Sequence, residues 1–229
     1  MDQRFATLYI QMALCDKTLQ QWLLDERNVP PSQVIVTTIL TQILQGVHYI
    51  HSLGIVHHDI KPSNIFITTT GHLQIQLGDF GLACPLQRES HNTVFGTHTY
   101  AAPEQLKGKC NPKSDIYSIG IVLLELLIHM ETYMERSYII DGIKKGQLPV
   151  SLTVTYPKWA HIIGQLVQED PNKRPSTNDL LQHITEDKDV TIANLKDDIV
   201  KKDNAIQELE RKIAMLQSQI KELKLPLES

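Results

Sequence analysis

Three short motifs lie in a fixed order along the chain and constrain its fold more than any other feature. The first is the octapeptide from His57 to Asn64, which reads His-His-Asp-Ile-Lys-Pro-Ser-Asn. Asp79-Phe80-Gly81 follows it, and Ala102-Pro103-Glu104 comes next. Chance is a poor explanation for three such motifs in this order and at this spacing, so we assign them to one functional site.

Hydrophobic periodicity predicts a mainly helical domain around these motifs. An apolar face recurs at spacings of three and four from Ser32, a plausible N-cap, to about His51. A second helix, over residues 114–130, is apolar nearly all round and is therefore expected to be buried. Ser176-Thr-Asn-Asp has the form of a capping box that begins a further helix. Short strands are predicted at residues 8–15, 65–67 and 73–77, and a short helix at 18–25.

The composition argues against several classes of protein. A formal net charge of -4 gives no indication of a nucleic acid or an anionic membrane as a partner. The most apolar stretch, Ile119–Ile128, contains Glu125 and is shorter than the ~20 residues that span a bilayer. The 3 cysteines are widely spaced and show neither a disulfide framework nor zinc spacing. We therefore expect reduced thiols and a cytoplasmic protein.

The C-terminal part of the chain follows a different pattern. Isoleucine recurs every seventh residue, and leucine takes the second apolar position of the same heptads except at Lys202. This arrangement favours a parallel two-stranded coiled coil, which Lys202 would weaken. The alternative is an amphipathic helix that folds back on its own domain, for which a wider stripe is typical. The repeat consists of Ile192, Ile199, Ile206, Ile213 and Ile220, with Leu195, Leu209, Leu216 and Leu223.

Together, the motifs resemble the C-terminal lobe of eukaryotic protein kinases over about residues 8–185. Asp115, in Ser-Asp-Ile-Tyr-Ser-Ile-Gly, also matches this lobe. Glu104 and Arg174 match the buried ion pair that braces the activation segment of the family. Lys61 gives the serine/threonine form of the catalytic loop. The resemblance implies a helical kinase lobe with short β-hairpins that lacks most of the N-lobe.

Finer matches resemble one group within that family. Pro-Glu-Gln-Leu and residues 132–136 are similar to the kinases that phosphorylate the alpha subunit of eukaryotic translation initiation factor two. That phosphorylation represses translation under stress. Residues 146–152, followed by the heptads, are most similar to its haem-regulated inhibitor kinases. The resemblance divides the chain into a remnant N-lobe strand and hinge (1–15), a C-lobe (16–185) and a coiled-coil tail (186–229), through which it would form a homodimer.

The resemblance also assigns roles to individual residues. Asp59 would accept or orient the proton of the substrate hydroxyl, and Lys61 would meet the transferring phosphate. Asn64 and Asp79 would supply hard oxygen ligands for Mg²⁺ bound to ATP. Thr97 would contact the catalytic Asp and Lys. The adenine site would use Met12 at its back, the hinge residues Leu14 and Cys15, and Phe66 as its floor.

The sequence departs from the family pattern at two places. His58 stands where the family has an Arg that clamps the activation-loop phosphate, so phosphorylation should order this loop less strongly. Residues 1–56 contain neither the Gly-rich loop nor the ATP-binding lysine. We therefore expect the chain to be very weak or inactive alone. Two functions stay open: the catalytic part of a serine/threonine kinase, or an inactive decoy that binds such kinases or their substrate.

Overall fold

The computed structural model divides into two units, Met1–Leu181 and Gln182–Ser229. It describes residues 12–25, 31–69, 71–86 and 98–186, and in the tail residues 199, 202–203, 206–207 and 209–216. The strands of the first unit are β1 (Lys17–Thr18), β2 (Ile55–Val56), β3 (Ile65–Thr68), β4 (Gln74–Leu77) and β5 (Cys84–Pro85). Its helices are α1 (Leu19–Asp25), α2 (Gln33–Ser52), α3 (Pro103–Leu106), α4 (Pro112–Leu127), α5 (Tyr133–Lys144), α6 (Val150–Thr155) and α7 (Pro157–Leu166), with 3-10 turns at Pro62–Asn64 and Pro171–Lys173.

The helix predicted after Ser32 is confirmed as α2. The Ser32 side chain accepts a hydrogen bond from the Ile35 amide at 3.4 Å, which satisfies one of the unpaired donors at the helix start. The chain leaves the helix at Gly54, which has a φ of 73° and therefore a conformation that a glycine adopts without strain. The apolar face predicted for this helix is buried throughout: Val36, Ile39, Leu40, Ile43, Val47 and Ile50.

The apolar helix predicted at residues 114–130 forms the centre of the core as α4. It begins two residues earlier than predicted, because the Asn111 side chain caps it by accepting from the Lys113 amide at 2.9 Å. Nearly all of its side chains are buried, as an all-round apolar helix requires. Gly120 lets α4 approach the end of α7 closely, since an added Cβ would lie 2.8 Å from Val167.

Two small antiparallel sheets flank the catalytic-loop motif. β3 lies between β1 and β4, and this confirms the strand pair predicted around residues 65–77. β2 pairs with β5, so that Val56 faces Cys84. The strand predicted at residues 8–15 is wrong in its described part, because residues 12–15 have no regular structure, and the rest lies outside the described residues. The strand begins instead at Lys17. The amide of the preceding residue, Asp16, donates a hydrogen bond to the Ile67 carbonyl of the neighbouring strand.

The expectation of reduced, unpaired thiols is wrong for two of the three cysteines. Cys84 and Cys110 form a disulfide whose Cα atoms are 6.7 Å apart, and Cys15 is a free cysteine. The two partners are 26 residues apart in sequence and come together only because β5 and the segment before α4 pack side by side. Linear spacing carries no signal of such a tertiary contact.

Ser176 begins a helix over residues 177–186, as its capping box predicts. Its hydroxyl accepts from the Asp179 amide at 3.2 Å, and the Asp179 carboxylate accepts from the Ser176 amide at 2.8 Å. The described tail residues of the second unit are helical. Among the described residues, no helix has the length and apolar character needed to cross a membrane. The predicted mainly α fold is confirmed.

Candidate active site

Asp59, Lys61 and Asn64 converge on one carboxylate oxygen. Lys61 Nζ lies 2.7 Å from Asp59 Oδ2, and the Asn64 side-chain amide donates to the same oxygen at 2.9 Å. Asn64 also donates to the Asp59 backbone carbonyl at 2.9 Å. The 3-10 turn at Pro62–Asn64 makes this possible, because it brings Asn64 back over the loop that carries Asp59. The structure therefore joins three of the four predicted catalytic residues and fixes the orientation of the carboxylate.

A buried carboxylate on α4 holds the backbone of this loop. Asp115 is fully buried and accepts from the amides of His57 and His58 at 2.9 Å each. His51, at the end of α2, contacts the same carboxylate at 2.8 Å. The support is needed because His58 has a φ of 65°, a conformation uncommon for a non-glycine residue. Asp115 thus couples the catalytic loop to both core helices.

His57 and Gly78 connect the catalytic loop to the Asp-Phe-Gly motif. The His57 Nε2–H donates to the Gly78 carbonyl at 3.1 Å, and its Nδ1 accepts from the Asp59 amide at 3.3 Å. The His57 ring also lies 4.8 Å from the Phe80 ring. The Gly78 amide donates to the Asn64 carbonyl at 2.9 Å, next to Asp79. These contacts hold the two motifs side by side.

The donor set of Asn64 and Asp79 fits Mg²⁺. Asn64 uses its side-chain nitrogen on Asp59, and its side-chain oxygen, which accepts only a long contact from the Ser63 hydroxyl at 3.5 Å, is a ligand of the hard type that Mg²⁺ takes. Asp79 is exposed and has a φ of 59°, directly after Gly78. Gly78 is required there, since an added Cβ would lie 2.5 Å from the Phe66 ring.

The residues predicted to form the adenine site are brought together only in part. Phe66 lies on β3 opposite β1, and Cys15 donates from its thiol to Gln76 on the neighbouring β4 at 3.3 Å. Met12 and Leu14 are 81% and 97% exposed, so nothing in the described chain covers them. Thr97, the fourth predicted catalytic residue, lies outside the described residues. These assignments stay predictions.

Glu104 and Arg174 form a buried ion pair across the fold. Arg174 donates from both terminal nitrogens to the Glu104 carboxylate, at 2.6 and 2.9 Å, and its side chain is fully buried. Burial raises the pKa of Glu104, but hydrogen bonds from Arg174 and Ser114 outweigh it and hold the pKa below its usual value. Arg174 also lies 4.9 Å from the Tyr117 ring. The pair joins α3, the helix of the Ala-Pro-Glu motif, to the end of the 3-10 turn at Pro171–Lys173, and Ser114 on α4 donates to Glu104 at 2.7 Å.

A cavity of about 830 Å³ opens beside the catalytic loop. Its lining includes a polar network in which the Tyr100 hydroxyl donates to Glu125 at 2.8 Å and Arg136 donates to Tyr100 at 2.6 Å. Arg136 also forms an ion pair with Glu125. Burial raises the pKa of Tyr100 and of Glu125 above their usual values. Lys61 lines the same cavity, so the cavity reaches the predicted catalytic group.

Sequence reasoning missed part of this surrounding structure. Gln105 donates to the His58 carbonyl at 2.6 Å, and Tyr100 joins the cavity network. Gln105 belongs to the Pro-Glu-Gln-Leu match, but the match does not indicate this contact, and Tyr100 gives no signal in the sequence. Glu125 does give one, because it is the only charge within the apolar stretch Ile119–Ile128 and a buried charge requires a partner.

The protein kinase domain model matches residues 2–184, which include all of the loops described above. The chain belongs to the protein kinase domain family. Its predicted kinase-like, mainly helical fold is thereby confirmed.

Several protein kinases are similar to this chain, and two of those given below are named for one substrate. Eukaryotic translation initiation factor 2-alpha kinase 1 of Rattus norvegicus is 35% identical over 95% of this chain and 39% of its own length. The interferon-induced, double-stranded RNA-activated protein kinase of Mus musculus is 37% identical over 78% of the chain and 35% of its own length. Eukaryotic translation initiation factor 2-alpha kinase 3 of Rattus norvegicus is 34% identical over 77% and 17%. The chain thus spans less than two fifths of each relative.

Proposed function

We propose that this kinase-family chain carries the catalytic residues of a serine/threonine kinase for the alpha subunit of translation initiation factor two. The observation that carries the proposal is the convergence of Lys61 and Asn64 on the Asp59 carboxylate, within 2.9 Å. The similarity to kinases named for that substrate supports the choice of acceptor. A cytoplasmic location remains part of the proposal.

The chemistry proposed for the loop follows from the types of its side chains. Asp59 is held with its carboxylate oriented, so it can accept the proton of a substrate hydroxyl that enters from the cavity. Lys61 places a cation beside it, which stabilises negative charge on the group in transfer. Bound Mg-ATP would supply the phosphoryl group, and Asn64 and Asp79 are the residues that would hold its metal.

The acceptor side of the site has the character of a protein-binding surface. The cavity beside Lys61 is bordered by the start of α5 at Tyr133. α5 exposes Tyr133, Met134 and Tyr138 by 78%, 82% and 82%, respectively. Large exposed aromatic and methionine side chains are enriched at protein interfaces. We therefore assign the docking of the alpha subunit to this helix.

Thr132 and Glu135 have a structural role at the start of the same helix. The Thr132 hydroxyl accepts from the Glu135 amide at 3.0 Å, and the Glu135 carboxylate accepts from the Glu131 amide at 2.9 Å. This arrangement caps α5. It sets the direction of the helix, and it leaves the exposed side chains of α5 for the acceptor.

The second candidate function is that of an inactive decoy. The 229 residues contain no Gly-rich loop and no ATP-binding lysine before the catalytic loop, so phosphoryl transfer by this chain alone should be very weak. The exposed heptad residues Ile199, Ile206 and Ile213, each more than half exposed, favour pairing with a second copy through the tail. A chain with a docking helix and a pairing helix could compete with active kinases by mass action.

The test combines transfer and binding in one preparation. The purified chain is incubated with Mg-ATP and the recombinant alpha subunit, and phosphate incorporation is measured beside binding of the alpha subunit by calorimetry. Asp59→Asn is the matched control, since it keeps the size and hydrogen-bonding capacity of the side chain and removes its charge.

The outcomes separate the two functions. Trace transfer that the Asp59→Asn variant lacks supports the catalytic proposal. Binding without any Asp59-dependent transfer supports the decoy. A chain that neither binds nor phosphorylates the alpha subunit contradicts the catalytic proposal and the decoy that binds the substrate; a decoy that binds the kinases themselves is contradicted when the chain also fails to bind a full-length kinase of this group.

A further inference from the structure

His58, Cys84 and Cys110 form a cluster that the proposed kinase chemistry does not use. They come from three separate segments: the catalytic loop, β5, and the stretch between α3 and α4. Their ligand atoms all lie within 4.8 Å of one another. His58 Nε2 is 3.2 Å from Cys84 Sγ, and the two sulfurs form the disulfide. The Cα separation of 6.7 Å is within the range of ordinary disulfides.

The backbone of His58 is held on both sides by hydrogen bonds. The His58 amide donates to Asp115 at 2.9 Å, and its carbonyl accepts from Gln105 at 2.6 Å. These bonds hold a residue whose φ is 65°, in the left-handed region. His58 is 3% exposed and Cys84 is 1% exposed, so the imidazole–sulfur contact is shielded from water. The contact is therefore a built feature of the fold and not a chance approach of surface side chains.

The two sulfurs differ in access and in chemical neighbourhood. Cys84 is buried beside an imidazole, which can take the proton of a thiol and leave the nucleophilic thiolate. Cys110 is only partly buried, so a small reagent in solvent reaches it first. Its sulfur lies 3.5 Å from the Pro85 carbonyl oxygen. Cys110 is therefore suited to react first with a reagent from solvent, and Cys84 is suited to attack the resulting mixed disulfide.

We propose that Cys84 and Cys110 form a reversible thiol-oxidation site that responds to low-molecular-weight disulfides such as glutathione disulfide, with His58 as the proton acceptor for Cys84. The Cys110 thiolate attacks the glutathione disulfide, forms a mixed disulfide and releases one glutathione thiolate. The Cys84 thiol gives its proton to His58 and attacks the Cys110 sulfur, which expels the second glutathione thiolate. His58 then passes the proton to solvent. Two protein thiols are oxidised, and one glutathione disulfide is reduced to two glutathiones.

The crosslink encloses a defined part of the kinase site. The disulfide spans 26 residues, from just after the Asp-Phe-Gly motif to just after the Ala-Pro-Glu motif, and the loop includes Thr97. Closing a loop restricts the conformations that its residues can take. Oxidation would thus constrain the activation segment covalently. In the family an Arg at the position of His58 constrains this segment through a phosphate instead.

The test uses the full chain with Cys15→Ser, so that Cys84 and Cys110 are the only cysteines. The reduced protein is exposed to glutathione buffers of graded ratio, alkylated, and analysed by peptide mass spectrometry. We expect the Cys84–Cys110 disulfide to form and to be removed again by excess reduced glutathione. In Cys84→Ser the mixed disulfide should accumulate on Cys110, whereas in Cys110→Ser the buried Cys84 should remain unmodified.

His58→Gln separates proton transfer from a structural effect. A positioned base is worth about 10²–10⁴-fold in rate, so closure of the Cys84–Cys110 bond should slow by about 100-fold in this variant. Formation of the mixed disulfide at Cys110, measured with Cys84→Ser, should keep its rate, because that step does not use His58. Equal slowing of both steps would overturn the role of His58. Circular dichroism checks that the variant is folded.

Two results would overturn the site itself. One is a disulfide that survives excess reduced glutathione in the folded protein, since it would be a permanent crosslink. The other is a reduced protein that carries one equivalent of zinc on the three residues and resists alkylation, since His58, Cys84 and Cys110 would then be metal ligands.

Discussion

At the scale of single residues, buried charges hold the site together. Arg174 contacts Glu104 with two nitrogens and also donates to the carbonyls of Lys113, Gln168 and Glu169. A buried charge left without its partner is costly, about 3–5 kcal/mol, because its desolvation is no longer compensated. The pair therefore makes the contact between α3 and the 3-10 turn at Pro171–Lys173 sensitive to a change in either residue.

Glu104→Gln should destabilise the fold and change its response to acid. We expect a loss of about 3–5 kcal/mol in the free energy of unfolding at neutral pH. The pKa of Glu104 is lowered in the folded state from its ordinary 4.5, so its contribution is complete above about pH 4.5 and is lost as the pH falls through the folded value. Urea titrations from neutral to acidic pH measure the difference between wild type and variant.

The exposed Glu131→Gln is the control for this titration. Glu131 is not part of the buried pair, so the variant should follow the wild-type curve at every pH. A difference between wild type and Glu104→Gln that stayed constant into the acid range would contradict the role of the Glu104 charge.

At the scale of secondary-structure elements, close helix packing outweighs helix propensity. A glycine inside a helix normally costs about 1 kcal/mol relative to alanine. Gly120, in the middle of α4, lies where an added Cβ would be 2.8 Å from Val167 Cγ1 and 2.9 Å from Leu166 Cβ. The close approach of the α4 backbone to side chains at the end of α7 therefore explains the glycine at position 120 better than helix propensity does.

Gly120→Ala should lower the free energy of unfolding by about 1–3 kcal/mol, because the added methyl group overpacks the contact between α4 and α7. The matched control is Gly164→Ala on α7, where the nearest atom would be at 3.7 Å, an ordinary contact distance. That variant should be unchanged or slightly more stable. Urea denaturation midpoints compare the two; greater stability in Gly120→Ala would show that the contact can relax.

Elements with strong periodicity could be predicted from the sequence, and contacts between distant segments could not. α2 and α4 follow from their apolar faces, and the cap at Ser32 follows from its residue type. Asp59, Lys61 and Asn64 could be assigned because they lie within one short motif. The bond between Cys84 and Cys110, by contrast, depends on how β5 packs, which no local pattern encodes. The strand predicted at residues 8–15 failed in its described part, because an apolar run does not by itself provide a strand to pair with.

At the scale of the whole molecule, the tail raises the question of self-association. Ile206, Leu209, Ile213 and Leu216 are each more than half exposed in a single chain. Apolar side chains repeated at heptad positions are buried when a second helix supplies the facing surface. The proposed homodimer would cover them, and the lysine among these positions should limit its strength.

Lys202→Leu should tighten the dimer, since it replaces a charged d-position residue with the apolar residue that the heptad requires. We expect a decrease of about tenfold or more in the dimer dissociation constant, equivalent to about 1.4 kcal/mol. Sedimentation equilibrium of the full chain over the micromolar range measures it. Lys201→Leu adds the same side chain at a position outside the a/d seam and should leave the constant unchanged. A monomer at every concentration in all three proteins would contradict the proposed pairing.

The two hydrogen bonds that Asp115 accepts link the opening of the catalytic loop to the stability of the core. The amides of His57 and His58 donate to the carboxylate of Asp115, a fully buried residue of α4. Their hydrogens can exchange with solvent only when these two hydrogen bonds break and water reaches the buried carboxylate. A loop of this kind would ordinarily be among the first parts of a protein to unfold locally. Here the buried partner of the two amides should make such opening rare.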